Sequence, residues 1–285
     1  MKPILFHIFG EAIPSYSVFM VLGYIAALAV IFKLTPVRKK EEAEADGGLY
    51  RPQVWDLFIV MVVSSVIGSK FGHVLFEAPG HKDENGLPIN SLWELLKADP
   101  WHWARLGESG YVWYGGMIGA LATSVFYFWR RPKLKRWLYA DAFAPAIMIG
   151  AVLGRIGCFF AGCCHGKPTT MPWGVVMPSH GAMPIHPTQI YDSFIALVIC
   201  ALLMWRFPRR RFDGENIALL LMTYPVMRSI TEIFRGDVER GTFGPLSTSQ
   251  LLSIPLFGIG VFLWTRLSRA GSREITFAQS EPSRS

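Results

Sequence analysis

Residues 16–34 read Tyr-Ser-Val-Phe-Met-Val-Leu-Gly-Tyr-Ile-Ala-Ala-Leu-Ala-Val-Ile-Phe-Lys-Leu, and Lys33 is the one charged side chain in the run. As a helix rising 1.5 Å per residue, the stretch is about 28 Å long, close to the roughly 30 Å of a bilayer's hydrocarbon core. It is too long for a strand and does not alternate. Six further stretches share this character: Val54–Phe76, Val112–Phe128, Tyr139–Phe160, Thr188–Phe207, Asn216–Phe234 and Thr248–Thr265. In lipid, helices are the only open-ended way to satisfy every backbone polar group. The sequence therefore predicts an all-α polytopic membrane protein with seven transmembrane helices. Composition agrees: of 285 residues, 51% are hydrophobic and 17% charged, against about 25% charged in a soluble domain. Mean hydropathy is +0.31. Disorder, collagen and coiled coil are excluded by these values, and four cysteines are too sparse for a disulfide-stapled scaffold.

The basic residues set the orientation. Arg38, Lys39, Lys40 and Arg51 lie between the first two spans. Arg130, Arg131, Lys133, Lys135 and Arg136 follow the third, and Arg206, Arg209, Arg210 and Arg211 follow the fifth. Arg266, Arg269, Arg273 and Arg284 follow the seventh, which makes 17 on this side. The opposite side carries 7: Lys2, Lys82, Lys97, Arg105, Lys167, Arg235 and Arg240. Because cytoplasmic loops hold the excess of Lys and Arg, an odd number of spans puts the N-terminus on the periplasmic side and the C-terminus in the cytoplasm. Dispersal over short loops excludes a nucleic-acid patch as the reason for the net charge of +7. The first span has one Lys before it and no small-x-small site at its end, so it reads as a retained helix rather than a signal peptide.

The expected organisation is a seven-helix membrane domain over residues 1–266 and a flexible polar cytoplasmic tail over 267–285. The loop at about 77–111 is longer than a connector needs and sets Trp93, Trp101 and Trp103 among charges. It is expected to be an external arm, either lying on the outer leaflet, where Trp favours the headgroup layer, or capping the bundle without lipid contact.

Charges inside the spans each need a reason, since insertion costs roughly 2.5–3.5 kcal/mol apiece. Arg228, Glu232 and Arg235 fall at i, i+4 and i+7 on one helical face, so Arg228 and Glu232 are expected to pair. Arg155 comes late in the fourth span, towards the same surface as Arg235. Two guanidiniums there either snorkel to the headgroups or clamp a phosphate, whose oxygens match the planar fork. Lys70 and His73 add polarity to the second span, and Asp56 and Asp141 fall where capping or interfacial solvation explains them. Gly115, Gly116 and Gly119 open the third span as close helix contacts or as an approach point for a headgroup. Cys158, Cys163 and Cys164 form C-x4-C-C with His165 next in line, a spacing that matches no established zinc pattern. Small buried thiols or a disulfide on the oxidising side explain them more simply than a metal.

Four segments carry a resemblance. Gly154-Arg-Ile-Gly-Cys-Phe-Phe-Ala-Gly-Cys-Cys-His-Gly166, His186-Pro-Thr-Gln-Ile-Tyr-Asp192, Arg228-Ser-Ile-Thr-Glu-Ile-Phe-Arg235 and Tyr114-Gly-Gly-Met-Ile-Gly119 resemble, in order, motifs of the prolipoprotein diacylglyceryl transferases. Tyr16, Asp141 and Pro145 also fit. The chain departs from the pattern where Tyr114 stands for the usual His, Cys158 for the usual Asn and Cys163 for the usual Glu, so it resembles a divergent member.

The resemblance implies a seven-span enzyme of the bacterial cytoplasmic (inner) membrane with its site towards the periplasm. Its partners would be phosphatidylglycerol, membrane lipids and preprolipoprotein signal peptides, and no nucleic acid. The reaction moves the diacylglyceryl group to the lipobox cysteine thiol and releases glycerol phosphate. Such chemistry needs a base or positive field to form the thiolate and fixed cations for the departing phosphate. Arg155 and Arg235 are the candidates for the cations and Tyr114 for a further catalytic group. Arg228 and Glu232 would hold Arg235. His186, Gln189 and Tyr191 would shape the headgroup pocket together with Tyr16, Gly157 and Gly166, while Gly115 and Gly116 let the lipid approach. Tyr114, His165, His186 and the lipid's own phosphate all remain open as the base. No cofactor or metal is implied. The competing readings are a related transferase with a different acceptor, a non-catalytic lipid binder or transporter, and a thiol–disulfide protein.

Overall fold

The computed structural model describes residues 3–8, 11–77, 113–177, 181–236, 242–243 and 246–280. The expected arm with Trp93, Trp101 and Trp103 lies outside them, beyond the end of the second long helix at Glu77, as do Lys2, Arg240 and Arg284. Eight α-helices occur among the described residues: α1 (Ser15–Leu34), α2 (Lys40–Asp46), α3 (Arg51–Glu77), α4 (Trp113–Arg130), α5 (Arg136–Ala161), α6 (Thr188–Arg206), α7 (Glu215–Glu232) and α8 (Thr248–Ser280). Strands are confined to three short antiparallel pairs: β1 (Ile4–Ile8) with β2 (Glu11–Pro14), β3 (Val175–Val176) with β4 (Pro184–Ile185), and β5 (Thr242–Phe243) with β6 (Leu246–Ser247).

Among the described residues, five helical stretches are long and apolar enough to cross a membrane: Ser15–Leu34, Arg51–His73, Arg136–Ala161, Thr188–Arg209 and Ser249–Ala270. The other two long helices, α4 and α7, have 18 residues each. Glycines and ring-bearing residues dilute the hydropathy of α4, and Glu215, Arg228 and Glu232 that of α7. The apolar surface of the long helices points outward. Ile25, Ile67, Phe194 and Ile254 are each about 60% or more exposed, as a chain solvated by lipid requires and a water-soluble one avoids.

The chain divides into two compact units. The first comprises residues 1–37 and 135–285, with α1, α5, α6, α7 and α8. Helix α1 lies along α5 on a stripe of small residues: Gly23 faces Gly150, Met20 faces Gly154, and Phe19 and Tyr16 face Gly157. Small residues let helix backbones approach where lipid supplies no hydrophobic drive, and Phe19 stacks on Phe160 at 5.2 Å beside the stripe. The core of this unit joins Ala144, Met148 and Val152 of α5 to Ala196, Ile199, Cys200 and Leu203 of α6 and Leu220 of α7. One end is fixed by Asp141, whose carboxylate accepts the N–H groups of Gly214 (2.8 Å) and Ile217 (3.0 Å). It therefore caps α7 from α5, the capping role expected of it but on a different helix. At the same end buried Glu215 pairs with Arg206 at 2.5 Å and accepts the backbone N–H of Arg211.

The second unit, residues 38–134, holds α2, α3 and α4. Helix α4 meets α3 backbone to backbone. A Cβ on Gly115 would overlap the Gly68 carbonyl and one on Gly119 the Ser64 carbonyl, while one on Gly116 would lie 3.1 Å from Ser65. A pocket of about 690 Å3 in this unit is lined by Trp55, Asp56, Tyr127, Arg130 and Arg131 among others, and it contains none of the predicted site residues.

Candidate active site

Three helix ends meet in the first unit: the C-terminus of α5, the N-terminus of α6 and the C-terminus of α7. The segment Gly162–Pro168 threads between them. Helix α5 stops at Gly162, which takes a left-handed φ of 77°, a conformation open to glycine without a Cβ penalty. The Cys163 N–H then turns back to the Cys158 carbonyl at 3.2 Å, closing the helix end as a Schellman turn. Beyond it, Gly166 N–H donates to His186 O (3.1 Å), His186 N–H to Lys167 O (3.0 Å), Lys167 N–H to Phe234 O (2.9 Å) and Gly236 N–H to His165 O (3.2 Å). A small irregular ladder thus binds the three segments. Gly166 is a packing position in it, because a Cβ there would overlap the His186 carbonyl.

On this frame stand five charged groups. Arg155 Nε lies 3.3 Å from Asp192 Oδ2, and Arg235 Nη1 lies 3.7 Å from the same oxygen. Arg235 Nε is 4.0 Å from Glu232 Oε2, which holds Arg228 Nη2 at 2.5 Å. The result is a chain, Arg155–Asp192–Arg235–Glu232–Arg228, drawn from α5, α6, α7 and the turn after α7, with three positive and two negative members. Arg235 lies three residues past the end of α7, so it does not share with Arg228 and Glu232 the helical face expected for it. Arg235, Arg228 and Asp192 are buried, and Arg155 is the most open of the five. The two arginines expected to converge do so, and the predicted Arg228–Glu232 pair forms. The sequence reading quoted Asp192 only as the last letter of a motif, and it is the carboxylate that joins the two guanidiniums.

The start of α6 brings the rest together. Gln189 Nε2 donates to Cys163 O at 2.6 Å and Thr188 Oγ1 to Cys164 O at 2.9 Å. Gln189 is fully buried, and its Oε1 meets no donor among the described residues. Tyr191 accepts from Trp173 Nε1 at 2.7 Å and sits 3.2 Å from His186 Nδ1. The phenol can give its own proton to Nδ1 or accept a second one from it. In the tautomer where Nδ1 accepts from Tyr191, the His186 proton sits on Nε2, a donor to whatever lies beyond. Phe234 closes the cluster edge-on to both His186 and Tyr191.

Tyr16 lies at the start of α1 with its ring edge at Gly157, so these two predicted residues are neighbours. Cys158, Cys163 and Cys164 are thiols whose sulfurs lie within 4.8 Å of one another. The Cys164 thiol is pushed down, first by hydrogen bonds from Cys158 and Cys163, then by the positive Arg155 and Arg235, against the opposing effect of burial. Tyr114, Gly115 and Gly116 belong to the second unit, where the glycines form the α3–α4 contact. Gly115 also meets Gly72, so Tyr114 and His73 flank one close backbone approach, and His73 is buried there.

Comparison with known proteins now bears on this arrangement. A family model described as "Prolipoprotein diacylglyceryl transferase" matches residues 3–266. The chain belongs to this family. It is 32% identical over 268 residues to a phosphatidylglycerol–prolipoprotein diacylglyceryl transferase from Clostridium tetani, covering 93% of this chain and 97% of that one. A protein of the same name from Bordetella avium is 33% identical over 257 residues, covering 89% and 91%. One from Shewanella oneidensis is 30% identical over 269 residues, covering 92% of each chain. The span matched by the family model includes the five-charge chain and the turn beneath it.

Proposed function

We propose that this multi-pass membrane protein transfers the diacylglyceryl group of phosphatidylglycerol to the lipobox cysteine of a preprolipoprotein and releases glycerol phosphate. The observation that carries this reading is the pair of guanidiniums, Arg155 of α5 and Arg235 just past the end of α7, held on the single carboxylate of Asp192. The acceptor thiolate attacks the glycerol carbon bonded to the phosphate oxygen. A C–S bond forms, the C–O bond breaks, and the electron pair leaves with the phosphate. The thiol proton goes to His165, to His186 or to a phosphate oxygen. The phosphodiester enters with one negative charge and leaves as a monoester carrying close to two. The arginines therefore meet a charge that grows during the reaction, which is the condition for accelerating it.

Around this centre, His186 Nε2–H donates to a phosphate oxygen. Gln189 Oε1 accepts from a headgroup hydroxyl, which would satisfy a buried acceptor. Tyr191 and Phe234 wall the pocket, Tyr16 and Gly157 border it on the α1 side, and Arg228 and Glu232 hold Arg235. Gly166 holds the loop, while Gly115 and Gly116 fit the packing of α3 on α4 better than lipid contact.

The seven long helices are proposed to span the bacterial inner membrane as one domain over residues 1–266, with an external arm and a cytoplasmic tail. The basic loop Arg206–Arg211 lies at the end of α6 opposite Asp192. The positive-inside rule puts that loop in the cytoplasm, the charge chain on the periplasmic side and the N-terminus outside. Tyr114, Cys158 and Cys163, at motif positions where the resemblance implies other residues, support one rival, a related transferase with a different acceptor.

Complementation decides between them. A bacterium depleted of its own lipoprotein transferase should grow when supplied with this chain and should fail with Arg155→Ala or Arg235→Ala at equal membrane abundance. Conversion of a lipobox peptide to its thioether by either variant at the unmutated rate would overturn the clamp. Binding of phosphatidylglycerol without rescue would favour the rival.

A further inference from the structure

Among the described residues, the one group of three metal-ligating side chains gathered at a point is Cys158, Cys163 and Cys164. Their convergence has a local cause. A helix that ends with glycine in the left-handed conformation returns the second residue past its end over the last turn, so C-x4-C with Gly162 at the reversal stacks Cys163 on Cys158. The Cys163 N–H to Cys158 carbonyl bond records that return, and the Cys163 Sγ itself lies 3.7 Å from the same carbonyl. Cys164 then takes a φ of 60°, the only positive φ of a non-glycine residue among those described. Such a conformation is uncommon for a residue with a Cβ and persists where its surroundings enforce it. Here it keeps all three sulfurs within 4.8 Å of one another.

The loop is also held from outside. Two consecutive buried side chains at the start of α6, Thr188 and Gln189, bond the carbonyls of Cys164 and Cys163. The two loop cysteines are thereby fixed to a helix other than the one that carries Cys158. Metal sites are tuned by such outer partners of their ligands. Cys200 supplies the contrast: it sits alone in the α5–α6 core, with Sγ 3.3 Å from the Pro145 carbonyl, and behaves as a small packing residue.

We propose that Cys158, Cys163 and Cys164 form a three-thiolate site for a soft d10 cation at the C-terminal end of α5. With metal–sulfur bonds of about 2.3 Å, a trigonal arrangement separates its sulfurs by about 4 Å, inside the ceiling seen here. Thiolates select copper(I) and zinc(II). Three ligands complete a trigonal copper(I) centre, whereas zinc(II) needs a fourth, so copper(I) is the better fit. Three thiolates and one monovalent ion leave two negative charges. Arg155, one turn before Cys158, and Arg235, bridged through its backbone to Gly166, offset part of this charge, so loading the site lowers the positive charge they offer a phosphate. The site does not depend on the transferase reading, and its test reads metal rather than turnover.

The full-length chain, purified reduced and without oxygen in detergent, is loaded in separate arms with copper(I) or zinc(II) and washed against a competing chelator. The expected result is one copper(I) per chain, a thiolate-to-copper charge-transfer absorption, and alkylation of exposed Cys163 slowed about tenfold or more in the unmutated protein. Cys200→Ser should retain the ion. Cys163→Ser should lose it, and Thr188→Val should bind about tenfold more weakly because one loop anchor is gone. Three results would overturn the proposal: no ion retained by the unmutated chain, equal retention by the Cys158→Ser/Cys163→Ser/Cys164→Ser triple variant, or unchanged Cys163 alkylation after loading. Retention of zinc(II) with none of copper(I) would overturn the trigonal assignment. The alkylation arm needs no substitution, so a variant that fails to fold leaves the proposal open to refutation.

Discussion

Replacing Asp192 with Asn removes one negative charge and almost no volume from the middle of the five-charge chain. Two effects oppose each other. The group's net charge rises from one positive to two, which on its own would strengthen attraction for an anionic headgroup. Against that, Oδ2 of Asp192 is the atom that both Arg155 (3.3 Å) and Arg235 (3.7 Å) face. At an effective dielectric of about 20, each contact carries a gross attraction of about 4–5 kcal/mol, much of it already spent on burying the ions. The net loss of one charge-assisted interaction is about 1.5–3 kcal/mol. An amide also accepts in fewer directions than a carboxylate, so one arginine must turn away. Positioning therefore outweighs the added charge. Asp192→Asn is expected to lower kcat by roughly a hundredfold, the equivalent of about 3 kcal/mol, with KM for phosphatidylglycerol changed much less. Asp192→Glu, the residue type resembled at this motif position, should recover most of the rate. The assay is thioether formation on a lipobox peptide in proteoliposomes containing phosphatidylglycerol, with abundance fixed by quantitative immunoblot. Unmutated kcat in Asp192→Asn, or a pure KM effect, would refute the claim that the carboxylate sets the geometry of the two guanidiniums.

Other expectations follow from the scaffold. Glu215→Gln strips the buried partner of Arg206 and should cost about 2 kcal/mol, discounted because Arg206 is one-fifth exposed. This appears as a lower midpoint in detergent thermal unfolding, with turnover per folded molecule unchanged. Asp141→Ala removes the acceptor for the first N–H groups of α7 and should cost about 1–2 kcal/mol, read in the same way. Gly115→Ala drives a methyl group into the Gly68 carbonyl and should cost about 1–3 kcal/mol. Intact stability with a raised KM for lipid would instead make Gly115 a substrate contact. Tyr191→Phe removes the hydroxyl between Trp173 and His186 and frees the imidazole tautomer. Its signature is a changed His186 ring-nitrogen resonance together with a raised KM, and an unchanged resonance would refute the tautomer assignment.

The apolar runs were legible because lipid demands uninterrupted hydrophobicity over a fixed length, a property of composition alone. Each of the seven stretches read from the sequence overlaps a helix, and five of those helices are long and apolar enough to cross a membrane. The ends were less legible: α8 runs to Ser280 past the expected Thr265, and the short α2 lies in a segment read only as a basic loop. The Arg228–Glu232 pair followed from helical periodicity because both residues belong to one helix. Asp192 did not, because it pairs with Arg155 on α5 and with Arg235 beyond the end of α7, and no spacing within α6 reports that. The available signal was an aspartate at the end of the His186–Asp192 motif inside an apolar run, where an ionised group needs a partner. The cysteines show the same limit. C-x4-C-C matches no metal pattern as a string, and the sulfurs converge only through the reversal at Gly162 and the positive φ of Cys164.

The placement of Asp192 also explains why two arginines can share one buried site at all. Bare guanidiniums brought together in an apolar slab repel each other and would turn towards the headgroups on separate paths. A carboxylate between them removes the repulsion and fixes both, at the cost of cancelling part of the charge that a phosphate needs. Glu232 and Arg228 adjust the balance so that the five groups sum to a single positive charge, matched to a singly charged phosphodiester. On the proposed mechanism, the second negative charge of the departing phosphate has no counterpart in the ground state. It is met only as the C–O bond breaks, by guanidiniums already in place. A neutral ground state with an unmet demand at the transition state is what separates catalysis from tight binding of the lipid. An arrangement with Asp192 absent would leave the two guanidiniums unheld and turn phosphatidylglycerol over more slowly, with its binding changed far less.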